Sequence, residues 1–217
     1  MITRSHITRI ASEQGVPAKT VERDYVLAHI VAAVASQGGS SRLAFKGATA
    51  LRLCHFENYR YSADLDFSVV EGSLEDALET TAMGLDNVRG SIEGLHLTHD
   101  SPPRIAYVGP LGRERTIKLD LADDELVINV EKRKLLARWP DLPGDRSVRV
   151  YTLFEIAGEK LRCMLQRLQC RDLFDLYQLL EEAAIDPVEA ADVFRPKARH
   201  RGIDPDSFAD RYRDRVK

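Results

Sequence analysis

Residues 63–70 constrain the fold more than any other stretch, because acidic and apolar residues alternate there as in a half-buried β-strand. Residues two apart in a strand point to the same face. Asp64 and Asp66 are therefore predicted to project together, while Leu65 and Phe67 enter the core. Two neighbouring carboxylates repel each other unless a cation lies between them. The simplest cation for an all-oxygen site is Mg²⁺, which one or two carboxylates and substrate phosphates usually hold.

A turn upstream of this strand has residues suited to binding phosphate. It follows the short apolar segment 43–45 and contains Lys46, Gly47, Ala48 and Thr49. A backbone that approaches a phosphate closely at a helix N-terminus favours glycine, which gives Gly47 a physical reason. Lys46 is predicted to be either a phosphate contact or a charge at the end of a strand. Thr49 is predicted to line the nucleotide site or to cap the helix that follows.

Two more polar residues are candidates for the same site. Ser62 lies two residues before Asp64, so its hydroxyl points toward the same pocket if the strand has already begun, and a turn role is the alternative. Asp120 lies in segment 115–121, where charged and apolar residues alternate as in a strand. From this pattern alone, Asp120 is an ordinary exposed strand residue.

The remaining periodicity predicts helices and short strands. Apolar residues recur at helical spacing in residues 18–37 and 73–89, and strands are expected near 95–99, 104–108, 115–121 and 125–130. Glu22 and Asp24, inside the first of these helices, are expected to face solvent or to be paired. Residues 131–149 are predicted to be a basic linker. Thr152 and Glu155 have capping-box spacing and open a C-terminal helix.

The composition is that of a globular protein that stays in solution. The chain has 217 residues, of which 44% are hydrophobic, and a net charge of −3, so any RNA contact must come from a local basic patch. No apolar run reaches the ~20 residues of a membrane span, and no secretory segment is expected, which favours the cytoplasm. The three cysteines lack metal-site spacing and are predicted to be buried reduced thiols.

Four segments together resemble one known protein family. They are residues 22–25 (ERDY), 45–51 (FKGATAL), 60–67 (RYSADLDF) and a C-terminal block with Glu159-Lys160, Arg167 and 171–176 (RDLFDL). Glycine turns followed by an Asp-x-Asp strand resemble polymerase-β-type nucleotidyltransferases. The closer resemblance is to the AbiEii family of bacterial nucleotidyltransferase toxins, which includes the MenT toxins. This family usually has Gly-Gly where the chain has Gly47-Ala48, so Ala48 adds a methyl group at the turn expected to bind the triphosphate.

The resemblance implies an α+β fold, with a polymerase-β-type nucleotidyltransferase core and a helical C-terminal half. Residues 1–149 would form the core with its N-terminal helices, and residues 150–217 would complete the active site. Asp120 would be the third carboxylate beside Asp64 and Asp66, and the three would hold Mg²⁺. The reaction implied is nucleoside monophosphate transfer from an NTP, with CTP or UTP as candidates, to the 3′ end of tRNA or another RNA. A cognate antitoxin is the implied protein partner.

The C-terminal block supplies the other implied site residues. Lys160 lies among apolar neighbours and needs a negative partner, for which a triphosphate is well suited. Asp172 is expected either to hold Lys160 in place or to act as the base on the acceptor hydroxyl. Asp175 is interpreted as a helix cap or a partner of Arg171.

Two other classes of function fit the same residues. One is a transferase for small molecules, either an antibiotic-modifying nucleotidyltransferase or a phosphoryl transferase. The other is a non-catalytic interaction module built on the same fold. The retained Asp64, Asp66 and Lys160 argue against the second.

Overall fold

The alternating stretch around Asp66 forms the middle strand of a mixed sheet. The computed structural model describes residues 2–142, 145–167 and 169–215. Over these residues the strands form a seven-stranded sheet in the order β3-β4-β5-β2-β1-β7-β6. The strands are β1 (Leu43–Lys46), β2 (Leu65–Val69), β3 (Glu93–Leu97), β4 (Arg104–Val108), β5 (Glu114–Ala122), β6 (Val130–Lys134) and β7 (Ser147–Tyr151). The prediction of an α+β fold is confirmed.

Helices occupy most of the rest of the described chain. They are α1 (Arg4–Gln14), α2 (Ala18–Ala35), α3 (Gly47–Ala50), α4 (Leu74–Val88), α5 (Leu153–Gln166), α6 (Cys170–Tyr177), α7 (Pro187–His200) and α8 (Phe208–Arg215). A π-helical turn, Leu51–His55, continues α3, and a second one, Gln178–Glu182, continues α6. Short 3₁₀ turns lie at Gly38–Arg42 and Pro205–Ser207. None of the described helices is both long enough and apolar enough to cross a membrane.

The described residues divide into two compact units. The first comprises Met1–Asp123 and Lys132–Val150, and the second comprises Asp124–Glu131 and Tyr151–Lys217. Segment 124–131, which the sequence analysis assigned to the core, therefore belongs with the C-terminal helices.

The core of the first unit follows from the alternation in β1, β2 and β5. Leu65 and Phe67 are buried, as predicted, and the rings of Phe45 and Phe67 lie 5.3 Å apart across the β1–β2 pair. β2 runs antiparallel to β1 and parallel to β5. Helix α4 packs closely on α2 at Gly84, where a Cβ atom would lie 2.9 Å from the backbone of Val34.

Helix α2 carries two buried acidic residues that form hydrogen bonds and ion pairs with other segments of the chain. Glu22 accepts hydrogen bonds from the backbone N–H of Leu111 at 2.6 Å and from Arg115 Nε at 3.0 Å, which ties α2 to the β4–β5 hairpin. Asp24 is paired with the guanidinium of Arg52, and both side chains are buried. Of the two alternatives from the sequence, pairing is confirmed for both acids.

Arg52 also holds the loop that leads into β2. Its guanidinium donates to the carbonyl oxygen of Tyr59 and lies 3.7 Å from the centre of the Tyr61 ring. Arg138 donates to the backbone carbonyls of Arg52, Phe56 and Glu57, the first at 3.1 Å and the last at 2.6 Å. Two arginines thus fix the path of the chain just before Asp64.

Residues 131–149 are not the linker predicted from their basic and proline-rich composition. They contain most of β6 and β7, and in β7 the buried Val148 and Val150 alternate with Arg149. This alternation is the strand signal, and the basic residues concealed it. Pro143 and Gly144, part of the predicted linker, lie outside the described residues.

The strand predicted at 125–130 is wrong, because regular structure begins only at Val130. The backbone N–H groups of Ile128 and Asn129 donate instead to the Glu155 carboxylate, at 3.1 and 2.9 Å. Glu155 is fully buried and also pairs with the buried Lys197 at 2.7 Å. A buried ion pair therefore takes the hydrogen bonds that a neighbouring strand would have supplied.

The helices of the second unit pack around a small apolar core. Leu165, Phe194, Ala198 and Ile203 form it, with Leu161 and Phe208 packed against it. Among the cysteines, Cys54 is buried as predicted, but Cys170 is exposed at the start of α6, so the prediction of three buried thiols is wrong there.

The Asp24–Arg52 pair gives a stability prediction. Asp24→Ala leaves a buried guanidinium without its carboxylate, which costs about 3–5 kcal/mol of unfolding free energy. Asp86→Ala is the matched control, since Asp86 pairs with Arg89 at 2.9 Å but both side chains are more than half exposed, and such pairs contribute about 0–1 kcal/mol. Urea denaturation of both variants is the measurement. Equal losses would show that burial of the pair contributes nothing.

Candidate active site

The strand registers bring Lys46, Asp66 and Asp120 into one row across the sheet. Asp66 on β2 lies opposite Asp120 on β5, and on its other side it lies opposite Lys46 on β1. Residues directly opposite each other on paired strands share a face of the sheet. The two carboxylates and the lysine therefore project from the same face. The structure thus brings Asp120 to the position that the family resemblance implied.

A second row lies beside the first. Lys118 is two residues before Asp120 in β5 and so points to the same face, and it lies opposite Arg104 on β4. The β2–β5 register pairs Leu65 with Leu119, so the residues that precede them, Asp64 and Lys118, lie next to each other if the register is extended by one position. Acidic and basic side chains therefore alternate over this patch of the sheet.

Asp64 lies in the loop just before β2, and Thr49 holds its backbone. The Thr49 hydroxyl is buried and donates to the carbonyl oxygen of Asp64 at 2.6 Å. The hydroxyl therefore ties the glycine turn to the first carboxylate. Ser62 lies two residues earlier in the same loop and is partly exposed. Contact of Thr49 or Ser62 with a nucleotide stays a prediction.

Gly47 has two structural reasons to be glycine. Its φ of +75° lies in the left-handed region, where a Cβ atom is disfavoured. A Cβ atom at this position would also lie 2.7 Å from Oδ2 of Asp66, closer than such contacts occur. The turn therefore packs directly against the carboxylate row. Its neighbour Ala48 is buried.

Lys118 is a site residue that the sequence analysis missed. Its ammonium donates to Asp120 Oδ2 at 3.0 Å. This hydrogen bond raises the pKa of Lys118, burial opposes the shift, and the negative charges of Asp120, Asp66 and Asp64 add to it. All three carboxylates therefore act on one lysine. The available signal was the spacing of Lys118 and Asp120, two residues apart in a predicted strand.

The chemistry of these side chains fits a divalent metal ion. Three carboxylates provide the all-oxygen donor set that Mg²⁺ prefers, and a cation, the Lys118 ammonium, already lies among them. Within residues 2–142, 145–167 and 169–215, no three His, Cys, Asp or Glu side chains lie close enough together to hold a metal. Asp66 and Asp120 thus share a face, and all three carboxylates act on Lys118 without converging on one point.

The second unit contains a separate charged cluster of its own. Lys160 on α5 donates to Asp172 Oδ1 at 2.8 Å and lies 2.7 Å from Asp175 Oδ2, and both aspartates on α6 are fully buried. Arg167, at the end of α5, donates to both oxygens of Asp172 at 3.0 and 3.2 Å. Asp175, interpreted from the sequence as a cap or a partner of Arg171, thus contacts Lys160.

These contacts determine the charge states in the cluster. Burial favours neutral Lys160, but the charges of Asp175 and Asp172 outweigh it and raise the pKa of the lysine. Burial would raise the pKa of Asp172, but Arg167 and Lys160 lower it. A carboxylate with a lowered pKa is a weak base. Of the two roles expected for Asp172, the geometry favours holding Lys160 in place, and a catalytic role for either residue stays a prediction.

Helix α6 is unusual in burying its acids and exposing its apolar residues. Asp172, Asp175 and Leu176 face inward, while the side chains of Leu173, Phe174 and Tyr177 are 38%, 41% and 54% exposed. The buried acids are needed to neutralise Lys160 and Arg167. The apolar residues are exposed because they occupy the opposite side of the same helix.

Known proteins resemble this chain over most of its length. The family model described as nucleotidyl transferase AbiEii toxin, type IV TA system, matches residues 29–216. The solved structure of MenT4, a nucleotidyltransferase toxin from Mycobacterium tuberculosis H37Rv, aligns with a TM-score of 0.72 and 25% identity, covering 89% of this chain and 69% of that one. An antigenic nucleotidyltransferase-like protein from Paracoccidioides brasiliensis aligns at 15% identity, covering 86% and 92%, with a TM-score of 0.49.

No curated protein sequence is similar enough to count as a relative. The family model nevertheless spans both the carboxylate rows and the Lys160 cluster. The chain belongs to the AbiEii family of nucleotidyltransferase toxins of type IV toxin–antitoxin systems.

Proposed function

We propose that this protein transfers a nucleoside monophosphate from an NTP to the 3′-hydroxyl of an RNA and releases pyrophosphate. The acceptor end of tRNA is the proposed target, CTP or UTP is the proposed donor, and the modified tRNA would no longer support translation and growth. The observation that carries the proposal is the row of Asp66 and Asp120 beside the Gly47 turn. Membership of a nucleotidyltransferase toxin family supports the reaction class.

The proposal gives each residue of the carboxylate face a task. Asp64, Asp66 and Asp120 would hold Mg²⁺, which when bound neutralises phosphate charge and lowers the pKa of a coordinated hydroxyl. Gly47 would keep the turn close to the metal carboxylates, because its missing side chain leaves room for the Asp66 carboxylate. Lys46, opposite Asp66, is suitably placed to bind a phosphate.

An RNA acceptor needs basic side chains that reach solvent. Lys132 and Lys134 on β6 are exposed and, two residues apart, point to the same side of an edge strand. Such side chains neutralise backbone phosphates, and the counter-ions they release make binding depend steeply on salt. We assign these lysines to the RNA surface. The family also implies a cognate antitoxin that binds or counteracts the protein.

The first prediction tests the metal carboxylates. Asp66→Asn should reduce transfer of labelled nucleotide to RNA by at least about a hundredfold, since a metal's stabilisation of transition-state charge is worth several kcal/mol. The unfolding free energy should change little, because removing one negative charge also relieves repulsion among the carboxylates. Asp123→Asn, an exposed carboxylate just beyond β5, is the control and should retain full activity. A folded Asp66→Asn protein with parental activity would refute the assignment.

The second prediction concerns the RNA surface. Replacing Lys132 and Lys134 with serine should make the salt dependence of RNA binding shallower by about 1.4 in log–log slope, about 0.7 for each lost phosphate contact. The control removes the same charge from Arg4 and Lys19, which are exposed on α1 and α2. Binding is followed by gel shift over a salt series. Equal slopes in both double variants would place the RNA elsewhere.

The third prediction separates a nucleotide-binding role of Lys160 from a structural one. Lys160→Met alone removes the buried ammonium that contacts Asp175 and Asp172, although Asp172 keeps Arg167, and should destabilise the protein by about 3–5 kcal/mol. Lys160→Met combined with Asp175→Asn leaves Asp172 paired with Arg167 and should restore much of that loss. If Lys160 binds the triphosphate, the double variant should have a lower affinity for Mg·NTP than the parent, even though its stability is largely restored. Parental NTP affinity in the double variant, measured by calorimetric titration, would make Lys160 purely structural.

A further inference from the structure

Lys118 has a position in the carboxylate cluster that no catalytic role explains. Its ammonium lies 3.0 Å from Asp120 Oδ2, while 39% of its side chain remains exposed. The side chain is therefore bonded at its tip but not enclosed. Its neighbour across the sheet, Arg104, points its Nε to Thr116 Oγ1 at 2.9 Å. Of these two adjacent cations, Lys118 is the one bonded to a site carboxylate.

The charges around Lys118 show what its ammonium does in the carboxylate cluster. Asp66 and Asp120 share one face of the sheet, Asp64 lies just before β2, and the like charges of the three carboxylates repel each other. The single positive charge of Lys118 offsets part of this repulsion, and the field of all three carboxylates acts on it. A lysine ammonium is a compact point charge, comparable in this respect to a metal ion.

The same geometry brings Lys118 into conflict with a metal ion. Mg²⁺ binds carboxylate oxygens at about 2.0–2.1 Å and demands near-octahedral geometry. An ammonium hydrogen-bonded to Asp120 Oδ2 occupies one direction of approach to that oxygen. A cation that bears two charges and an ammonium that bears one would also repel each other at this separation. A metal ion at Asp120 would therefore compete with the Lys118 ammonium for this carboxylate.

We propose that Lys118 is a resident counter-ion of the carboxylate cluster, which a divalent cation must displace, and that the displaced ammonium then binds a phosphate of the incoming NTP. This inference rests on the proposed metal-dependent transfer. Lys118 is a positioning residue in this account: it keeps the carboxylates together while the metal is absent and contributes to nucleotide binding once the metal is present. The exposed side chain has the freedom that such an exchange requires.

The exchange predicts effects of opposite sign on two ligands. Lys118→Met should tighten binding of Mn²⁺, titrated alone without nucleotide, by about tenfold, the size expected for removing one charge about 5 Å from a divalent ion at the dielectric of water. The same variant should weaken binding of the Mn·NTP complex. A lysine with only a structural role would change both in the same direction or neither.

Three further variants make the test specific. Lys118→Gln removes the charge but can still donate a hydrogen bond to Asp120, and it should tighten Mn²⁺ binding as Lys118→Met does. Lys118→Arg keeps the charge and should bind Mn²⁺ like the parent. Lys19→Met removes an exposed lysine on α2 and should leave Mn²⁺ affinity unchanged. Electron paramagnetic resonance of free Mn²⁺ measures metal binding, and calorimetry measures nucleotide binding.

The outcomes separate this inference from the proposed function. Tighter Mn²⁺ binding with weaker Mn·NTP binding in Lys118→Met supports the exchange. If the parent binds Mn²⁺ and Lys118→Met binds it equally or more weakly, the exchange is overturned while the metal site stands. If neither protein binds Mn²⁺ up to millimolar concentration, even with NTP, the metal role of the carboxylates and the exchange are both overturned.

Discussion

Repulsion among Asp64, Asp66 and Asp120 is the constraint on which the site depends. The register of β2 and β5 places Asp66 opposite Asp120 on one face of the sheet, and the chain places Asp64 two residues before Asp66. Such an arrangement is stabilised when a cation lies nearby and the backbone cannot relax away. The structure meets the first condition with the Lys118 ammonium and with Lys46, which lies opposite Asp66 on the same face. It meets the second with a set of buried hydrogen bonds and ion pairs around the strand.

The side chains that make these contacts lie on helices and turns outside the strand. The Thr49 hydroxyl holds the Asp64 carbonyl, and Arg52, itself paired with Asp24, holds the loop before it. Glu22 holds the hairpin that leads to β5 through the backbone of Leu111. Each buried group has a partner, so its burial contributes to rigidity rather than costing an unpaired charge. Residues far apart in sequence therefore fix the carboxylates in place.

Sequence reasoning succeeded where one strand or helix carried the signal. The alternation around Asp66 predicted its strand face, although the strand begins only after Asp64, and the period of α2 and α4 predicted those helices. Asp120 needed the family resemblance, because an exposed acid in a strand has no distinctive pattern. Lys118 was missed because its meaning comes from a register between strands that no local pattern contains.

Other errors have the same origin in tertiary contacts. Segment 125–130 has strand-like residues, but its N–H groups bond to Glu155, which lies far along the chain. The position of Asp175 opposite Lys160 depends on how α5 and α6 pack, which their individual sequences do not specify. Basic residues in 131–149 concealed the alternation of β7. Local propensity gave the type of element, and pairing between distant segments decided the rest.

The most direct measurement of the central claim is an acceptor assay. The purified protein is incubated with NTPs labelled at the α-phosphate, with and without Mg²⁺, and with either total RNA or a set of small hydroxyl-bearing acceptors. The account predicts Mg²⁺-dependent label at RNA 3′ ends, removed by periodate treatment of the RNA beforehand. Label on small molecules alone, or equal labelling of RNA after periodate treatment or without a divalent cation, would contradict it.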